Sequence, residues 1–395
     1  MKTNHLLIAL VLCAWLLTAC GVKETPVLAV PEGAQGGDPT ELKDCAFQPE
    51  SSRTEHAAEC GGLTDLLDKQ VERQHILGMA MAVRLADGTV IRVASGYTSP
   101  SGNESWSANT PSLISSITKT FTAVVVMQLV EEGKLSLDDT VDTWFPEQPN
   151  GDKITVRMLL SHTSGLANFS TIFGNNEEKW IREWTPEELI TEANKAGPVG
   201  KPGSRWAHYS STNYTMLGLI IEKVTGNSWD YEVESRIIKP LGLKSTTIIL
   251  NEGNWKEKMV PGYIKTSDGY ISIFEYSWYS HVSVSTSYGA GGIISSASDL
   301  MTFASALFDG KLVSKETLDL MSQTVGMGNG GAFGLGGVVG KVAGHKTFAM
   351  SGGDMGYHAY FIGTLDGKFI VTALVNTEEG NVKSPSLAAL RYISQ

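Results

Sequence analysis

Between Ser115 and Glu132 runs a segment that is apolar on nearly every face: Phe121, Val124, Val125 and Leu129 leave little room for a solvated side, and Gly133 stands at the expected stop. A surface helix keeps one polar face, so a helix of this kind belongs inside, with the rest of the chain folded around it. Its first turn reads Ser116-Ile-Thr-Lys119. Residues three apart on a helix share a face, which sets the lysine amine beside the serine hydroxyl. The helix N-terminus presents unpaired backbone N–H groups and a partial positive charge, favouring the anion formed when the hydroxyl attacks. Burial disfavours a charged ammonium and so prepares the amine to accept a proton. The motif alone carries little information, because a chain this rich in serine and lysine holds Ser-x-x-Lys by chance. The plain alternative is a solvated helix start.

The chain has 395 residues, 42% hydrophobic and 18% charged, enough to bury one large core or two moderate ones. A helix is predicted from Leu63 to about Gln74. Two strands follow, Met79–Leu85 and Thr89–Val93, joined by Ala86-Asp87-Gly88, a hairpin signal. Helical segments fall around Glu187–Lys195 and Tyr214–Val224. The end returns to strands at Lys346–Met350, Ala359–Gly363 and Lys368–Val375 before a last helix from Ser386. Strands at both ends with helices between predict an α+β fold: an antiparallel sheet flanked by helices and interrupted by a helical insertion. The expected division is a sheet domain from 63–160 and 286–395, with a mainly helical insertion over 161–285.

The first twenty residues read as a leader. Lys2 gives a positive start and Leu6–Leu17 an apolar run well short of the roughly 20 residues that span a bilayer. Leu17-Thr-Ala-Cys20 looks like a bacterial lipobox, implying cleavage before Cys20 and lipid attachment to its sulfur; an ordinary signal peptide with an incidental cysteine is the alternative. Several acyl chains make a stable anchor, so the expected site is a membrane surface, facing the periplasm or the cell exterior. Residues 21–62 read as a tether and lead-in. They hold Cys45 and Cys60, which export would allow to pair as a disulfide, two free thiols being the other reading. A net charge of -11 argues against nucleic acid as a partner.

Longer stretches then fall in register: Ile154-Thr-Val-Arg-Met-Leu-Leu-Ser-His-Thr-Ser-Gly-Leu166, Lys201-Pro-Gly-Ser-Arg-Trp-Ala-His-Tyr-Ser-Ser-Thr-Asn-Tyr214 and Tyr288-Gly-Ala-Gly-Gly-Ile-Ile-Ser-Ser-Ala-Ser-Asp-Leu300. With Ser116 and Lys119 these make the chain, from about Leu63 to Ile393, resemble the serine β-lactamase and D-Ala-D-Ala carboxypeptidase superfamily. The likeness is to the class C β-lactamase-like branch, which also holds esterases and D-aminopeptidases. It implies a β-lactamase/transpeptidase-like fold with an all-helical insertion domain. It makes Ser116 the acylated nucleophile, Lys119 its neighbouring base and Tyr209 a second proton shuttle. Met350-Ser351-Gly352 would be the third family element, on a strand lining the substrate. The backbone N–H groups of Ser116 and Gly353 would form the oxyanion hole, where losing one donor costs about two to three orders of magnitude in rate. No cofactor is implied.

Two positions depart from that pattern. Ser211 stands where many relatives carry Asn, removing an amide that holds a substrate carbonyl and the lysine. Met350 stands where they carry a basic residue, and Phe333-Gly-Leu-Gly-Gly-Val-Val-Gly340, read as the preceding strand, offers no arginine. A site without cations binds a carboxylate poorly, because a desolvated anion wants a partner. Acyl transfer survives, and the expected substrate, a small molecule or a peptide of cell-wall type, tilts towards neutral esters or amides. The alternative is a non-catalytic, lipid-tethered scaffold or binding protein. His162 and His208 show no metal spacing and read as structural residues. Gly326-Met-Gly-Asn-Gly-Gly331 matches a nucleotide-binding pattern by letters only and reads as a loop. The absence of Gly-x-Ser-x-Gly argues against an α/β-hydrolase.

Overall fold

The computed structural model describes residues 45–48, 55–173, 179, 182–251, 254–276, 285–327 and 331–395. The leader, Cys20 and most of the tether lie outside the described residues. In chain order, β1 (Cys45–Gln48) precedes helix α1 (Ala57–Gln74), then β2 (Gly78–Arg84), β3 (Val90–Gly96) and β4 (Ser112–Leu113). A short 3-10 turn, Ser115–Ile117, leads into α2 (Thr118–Glu131). The middle carries α3 (Pro186–Lys195), α4 (Ser211–Thr225), β5 (Thr247–Ile248) and the hairpin of β6 (Tyr263–Thr266) and β7 (Gly269–Ser272). After it come β8 (Ile293–Ser295), α5 (Ala297–Phe308), β9 (Val325–Gly326), β10 (Ala332–Phe333), β11 (Val338–Val342), β12 (His345–Asp354), β13 (Tyr357–Thr364), β14 (Ile370–Val375) and α6 (Lys383–Ile393).

Nine strands form one antiparallel sheet in the order β1-β3-β2-β14-β13-β12-β11-β10-β9. Its central strands are buried along nearly their whole length, because helices cover both faces. Met79, Met81 and Val83 of β2 pack in one core with Leu63 and Leu67 of α1 and Ala389 and Leu390 of α6. Ala80 and Ala82, the alternate residues, face the other core with α2 and α5. There Phe121 of α2 stacks on Phe303 of α5 with ring centroids 3.7 Å apart. The second core continues into the helical region through Tyr214, Met216 and Leu217 of α4.

Several expectations are refined. The 161–285 segment is mainly helical and not wholly so: β5 joins β4 and β8 in a small sheet, and Ser267-Asp268 turns the β6–β7 hairpin. Phe333–Gly340 is not one strand, because Gly334–Gly337 turns the chain between β10 and β11, with Gly334 N–H bonded to Gly337 O. Cys45 and Cys60 form a disulfide, which pins β1 to α1 and makes part of the lead-in an outer strand of the sheet. Helix α1 accordingly starts at Ala57, earlier than the apolar pattern indicates.

Candidate active site

Buried polar side chains need partners, and α2 carries four in its first five residues. Thr118 Oγ1 accepts from Ile293 N, Thr120 Oγ1 donates to Gly336 O and Thr122 Oγ1 donates to Gly289 O. Lys119, 1% exposed, donates from Nζ to the carbonyl of Ala290 at 2.7 Å. Glycine-rich segments supply these acceptors because their backbone can approach closely: Gly289 sits at φ +67°, and a Cβ there would lie 2.5 Å from Tyr214 O.

The amine of Lys119 also reaches Ser116 Oγ at 3.1 Å. From the helical region, Tyr209 brings its hydroxyl to the same oxygen at 2.8 Å. Lys119 Nζ lies 5.1 Å from the centroid of the Tyr209 ring. The three residues therefore converge on one oxygen at the seam between sheet and helical segment, with Ser116 half-buried and Tyr209 38% exposed. Ser115, just before Ser116, has φ +46° and a buried Oγ without a hydrogen-bond partner among the described residues. A serine in the left-handed region costs on the order of 1–3 kcal/mol, strain of the sort that accompanies a sharp turn into a functional helix.

Strand β12 runs along this turn. A Cβ on Gly352 would sit 1.9 Å from Ile114 O and 3.2 Å from Ser116 N, so only glycine allows the two backbones to meet. Gly353 follows, paired with His358 of β13. Ser351 is exposed, whereas Met350 is 3% exposed and belongs to the core that holds Ile117 and Phe333. This corrects the sequence reading of Met350 as a substrate contact: a thioether among apolar side chains gains by burial, and the position offers neither charge nor surface. Ser211, at the first turn of α4, donates its N–H to Asn168 Oδ1 at 3.1 Å. Asn168 and the Ala290 carbonyl were not singled out from sequence. Asn168 follows the Ser161–Leu166 motif by two residues, and only the folded chain sets it against Ser211.

Two buried groups near the site stay neutral. Burial raises the Tyr214 phenol well above its ordinary value, and its hydroxyl donates to Leu160 O at 2.9 Å. Burial, with Lys119 nearby, holds His162 well below the ordinary histidine value. The ring of Tyr288 packs 5.5 Å from that of Trp229 in the core.

An antiparallel sheet covered by helices thus carries a serine on the turn into a buried helix, a lysine three residues on and a tyrosine that reaches the same oxygen from the helical segment. The Beta-lactamase family model matches residues 63–393, and the chain belongs to that family. It is 33% identical over 220 residues to the putative penicillin-binding protein PbpX of Bacillus subtilis (strain 168), covering 54% of this chain and 52% of that protein. Over 342 residues it is 28% identical to penicillin-binding protein 4* of the same organism, covering 80% and 72%. The chain thus spans about half the length of the first relative and about three quarters of the second. Among solved structures, the D-stereospecific amidohydrolase from a Streptomyces species superposes with a TM-score of 0.71 at 30% identity, covering 83% of this chain and 97% of that one.

Proposed function

We propose that this protein hydrolyses a neutral ester or amide, a D-amino-acid amide being the favoured class, through an acyl-enzyme on Ser116. The observation that carries this reading is the convergence of Lys119 Nζ and Tyr209 OH on Ser116 Oγ. In this scheme Oγ attacks the substrate carbonyl carbon while its proton passes to the Lys119 and Tyr209 pair. The oxyanion is held by the Ser116 and Gly353 N–H groups, the proton is delivered to the departing amine or alcohol, and water then releases the acid from Ser116.

The burial of Met350 favours an uncharged leaving group, because this position supplies no cation for a carboxylate. An amide releases ammonia or an amine and needs no such partner. The likeness to a D-stereospecific amidohydrolase supports the same choice. Side-by-side turnover of a D-amino-acid amide, a short p-nitrophenyl ester, a D-Ala-D-Ala peptide and nitrocefin tests it. Cleavage of the first two with little of the last two is expected; efficient carboxypeptidase activity would overturn the neutral-substrate reading. Fluorophosphonate labelling that disappears in Ser116→Ala tests the nucleophile. No labelling of folded protein would favour the scaffold reading instead.

We also propose export as a lipoprotein anchored through Cys20. The Cys45–Cys60 disulfide supports an oxidising destination. Palmitate incorporation that is lost in Cys20→Ala would support the anchor, and its persistence would exclude it.

A further inference from the structure

His162 is buried completely yet belongs to no part of the acyl-transfer scheme. Its backbone sits at φ +58°, in the left-handed region that few non-glycine residues occupy. Its surroundings include the peptide of Tyr209. His208 N–H donates to the His162 carbonyl at 2.7 Å, and Ser210 N–H donates to its Nδ1 at 3.1 Å. The residues on either side of Tyr209 are therefore both tied to one histidine.

The tautomer follows from the partners. A backbone N–H can only donate, so Nδ1 holds a lone pair and the ring proton sits on Nε2. Asn213 agrees: its Oδ1 accepts from Ser164 Oγ at 2.6 Å, which turns its Nδ2 towards Nδ1 at 3.1 Å. Nε2 is buried and has no hydrogen-bond partner among the described residues. An unpaired buried N–H opposes folding, a penalty that an aliphatic side chain filling the same space would avoid. What the imidazole adds over such a filler is the acceptor that holds Ser210 and the flat ring that backs Tyr209. The ring centroid lies 4.5 Å from that of Tyr209, 5.2 Å from that of Tyr214 and 4.7 Å from that of Phe333.

We propose that His162 is the positioning residue for Tyr209: a neutral imidazole with its proton on Nε2, clamping the peptide on both sides of the tyrosine and backing its ring so that the hydroxyl stays on Ser116 Oγ. The proposal rests on Tyr209 taking part in acyl transfer as set out above. A role through Tyr209, unlike a purely structural one, makes the two positions non-additive.

The test is a double-mutant cycle read by p-nitrophenyl ester turnover and by the rate of fluorophosphonate labelling. His162→Leu removes acceptor and ring together. His162→Asn places an oxygen near the position of Nδ1 and tolerates the positive φ. In the otherwise native protein His162→Leu is expected to lower kcat by about ten- to a hundredfold with KM changed by less than about twofold, and His162→Asn to recover part of the loss. In a Tyr209→Phe background either change at 162 is expected to cost less than about twofold. Losses that multiply independently in the two backgrounds would overturn the proposal, as would an unchanged kcat in the folded variants. Should His162→Leu not fold, the cycle with His162→Asn decides by the same criterion. Tyr209→Phe alone reports on the underlying mechanism: full activity there would defeat the acyl-transfer role of Tyr209, separately from any result at position 162.

Discussion

Gly352 lies against the carbonyl of Ile114 so closely that an added Cβ would fall 1.9 Å from its oxygen. Strand β12 can meet the turn before Ser116 only because residue 352 has no side chain. Gly352→Ala must therefore push the strand and the turn apart, moving Gly353 N–H away from Ser116. In the proposed mechanism Gly353 N–H is an oxyanion donor; loss of one such donor costs about 10²–10³ in kcat, and a drop of that size is expected in a protein that still folds. Ester turnover together with a circular dichroism melt checks it; near-native activity would show that the hole does not depend on this contact.

Lys119 makes two hydrogen bonds from a site 1% exposed, one to Ser116 Oγ and one to Ala290 O. Methionine matches its length and suits a buried position. Lys119→Met should keep the fold while lowering kcat by about 10²–10⁴, the usual contribution of a general base, which is the role proposed for this amine. Lys119→Arg should not restore activity, since guanidinium does not give up its proton at working pH. Rates of fluorophosphonate labelling measure both.

Stability should fall as the solution is acidified below the histidine range. Burial pushes His358 down to about 4, against 6.5 in the unfolded chain, with its Nε2 donating to Glu378 O. Between those values the unfolded chain binds a proton that the native protein does not, so folding weakens as pH drops from about 6.5 towards 4. His162 contributes in the same direction. His56 opposes them: burial disfavours its charge, yet Asp87 and Glu59 raise its pKa overall. Urea unfolding midpoints at pH 7.0, 5.5 and 4.5 should decline, and less steeply in His358→Gln. Identical slopes for the two proteins would remove His358 from the account.

The β11–β12 hairpin turns through Ala343 and Gly344, both at positive φ, 47° and 86°. A two-residue turn of this shape favours asparagine before glycine, and alanine in the left-handed region is strained. Ala343 is exposed, and Ala343→Asn should raise stability by about 1 kcal/mol with kcat unchanged. Equilibrium urea unfolding measures the gain, and a lower midpoint would contradict the turn argument.

Much of this protein is legible before it folds. Apolar residues on all faces of 115–132 require a central helix, whatever surrounds it, because no solvated side exists. The Asp-Gly hairpin follows from turn chemistry, and the terminal strands follow from short apolar runs of strand length. The same local rules set Ser116 beside Lys119, three residues apart where the 3-10 turn runs into α2. Family resemblance directed attention to Tyr209 and Gly352, but no local pattern ties either to Ser116.

Those ties belong to tertiary structure. Tyr209 is 93 positions from Ser116 and reaches it across the seam, Ala290 receives the amine of Lys119 from 171 positions away, and Met350 turned out to be core. His162 shows the same limit: a histidine in a sequence motif reads as structural, and its two hydrogen bonds around Tyr209 exist only after residues 162 and 210 meet. Sequence periodicity specifies which face of an element avoids water. Which carbonyl, ring or hydroxyl that face then meets depends on long-range packing, where each buried polar group must find its partner.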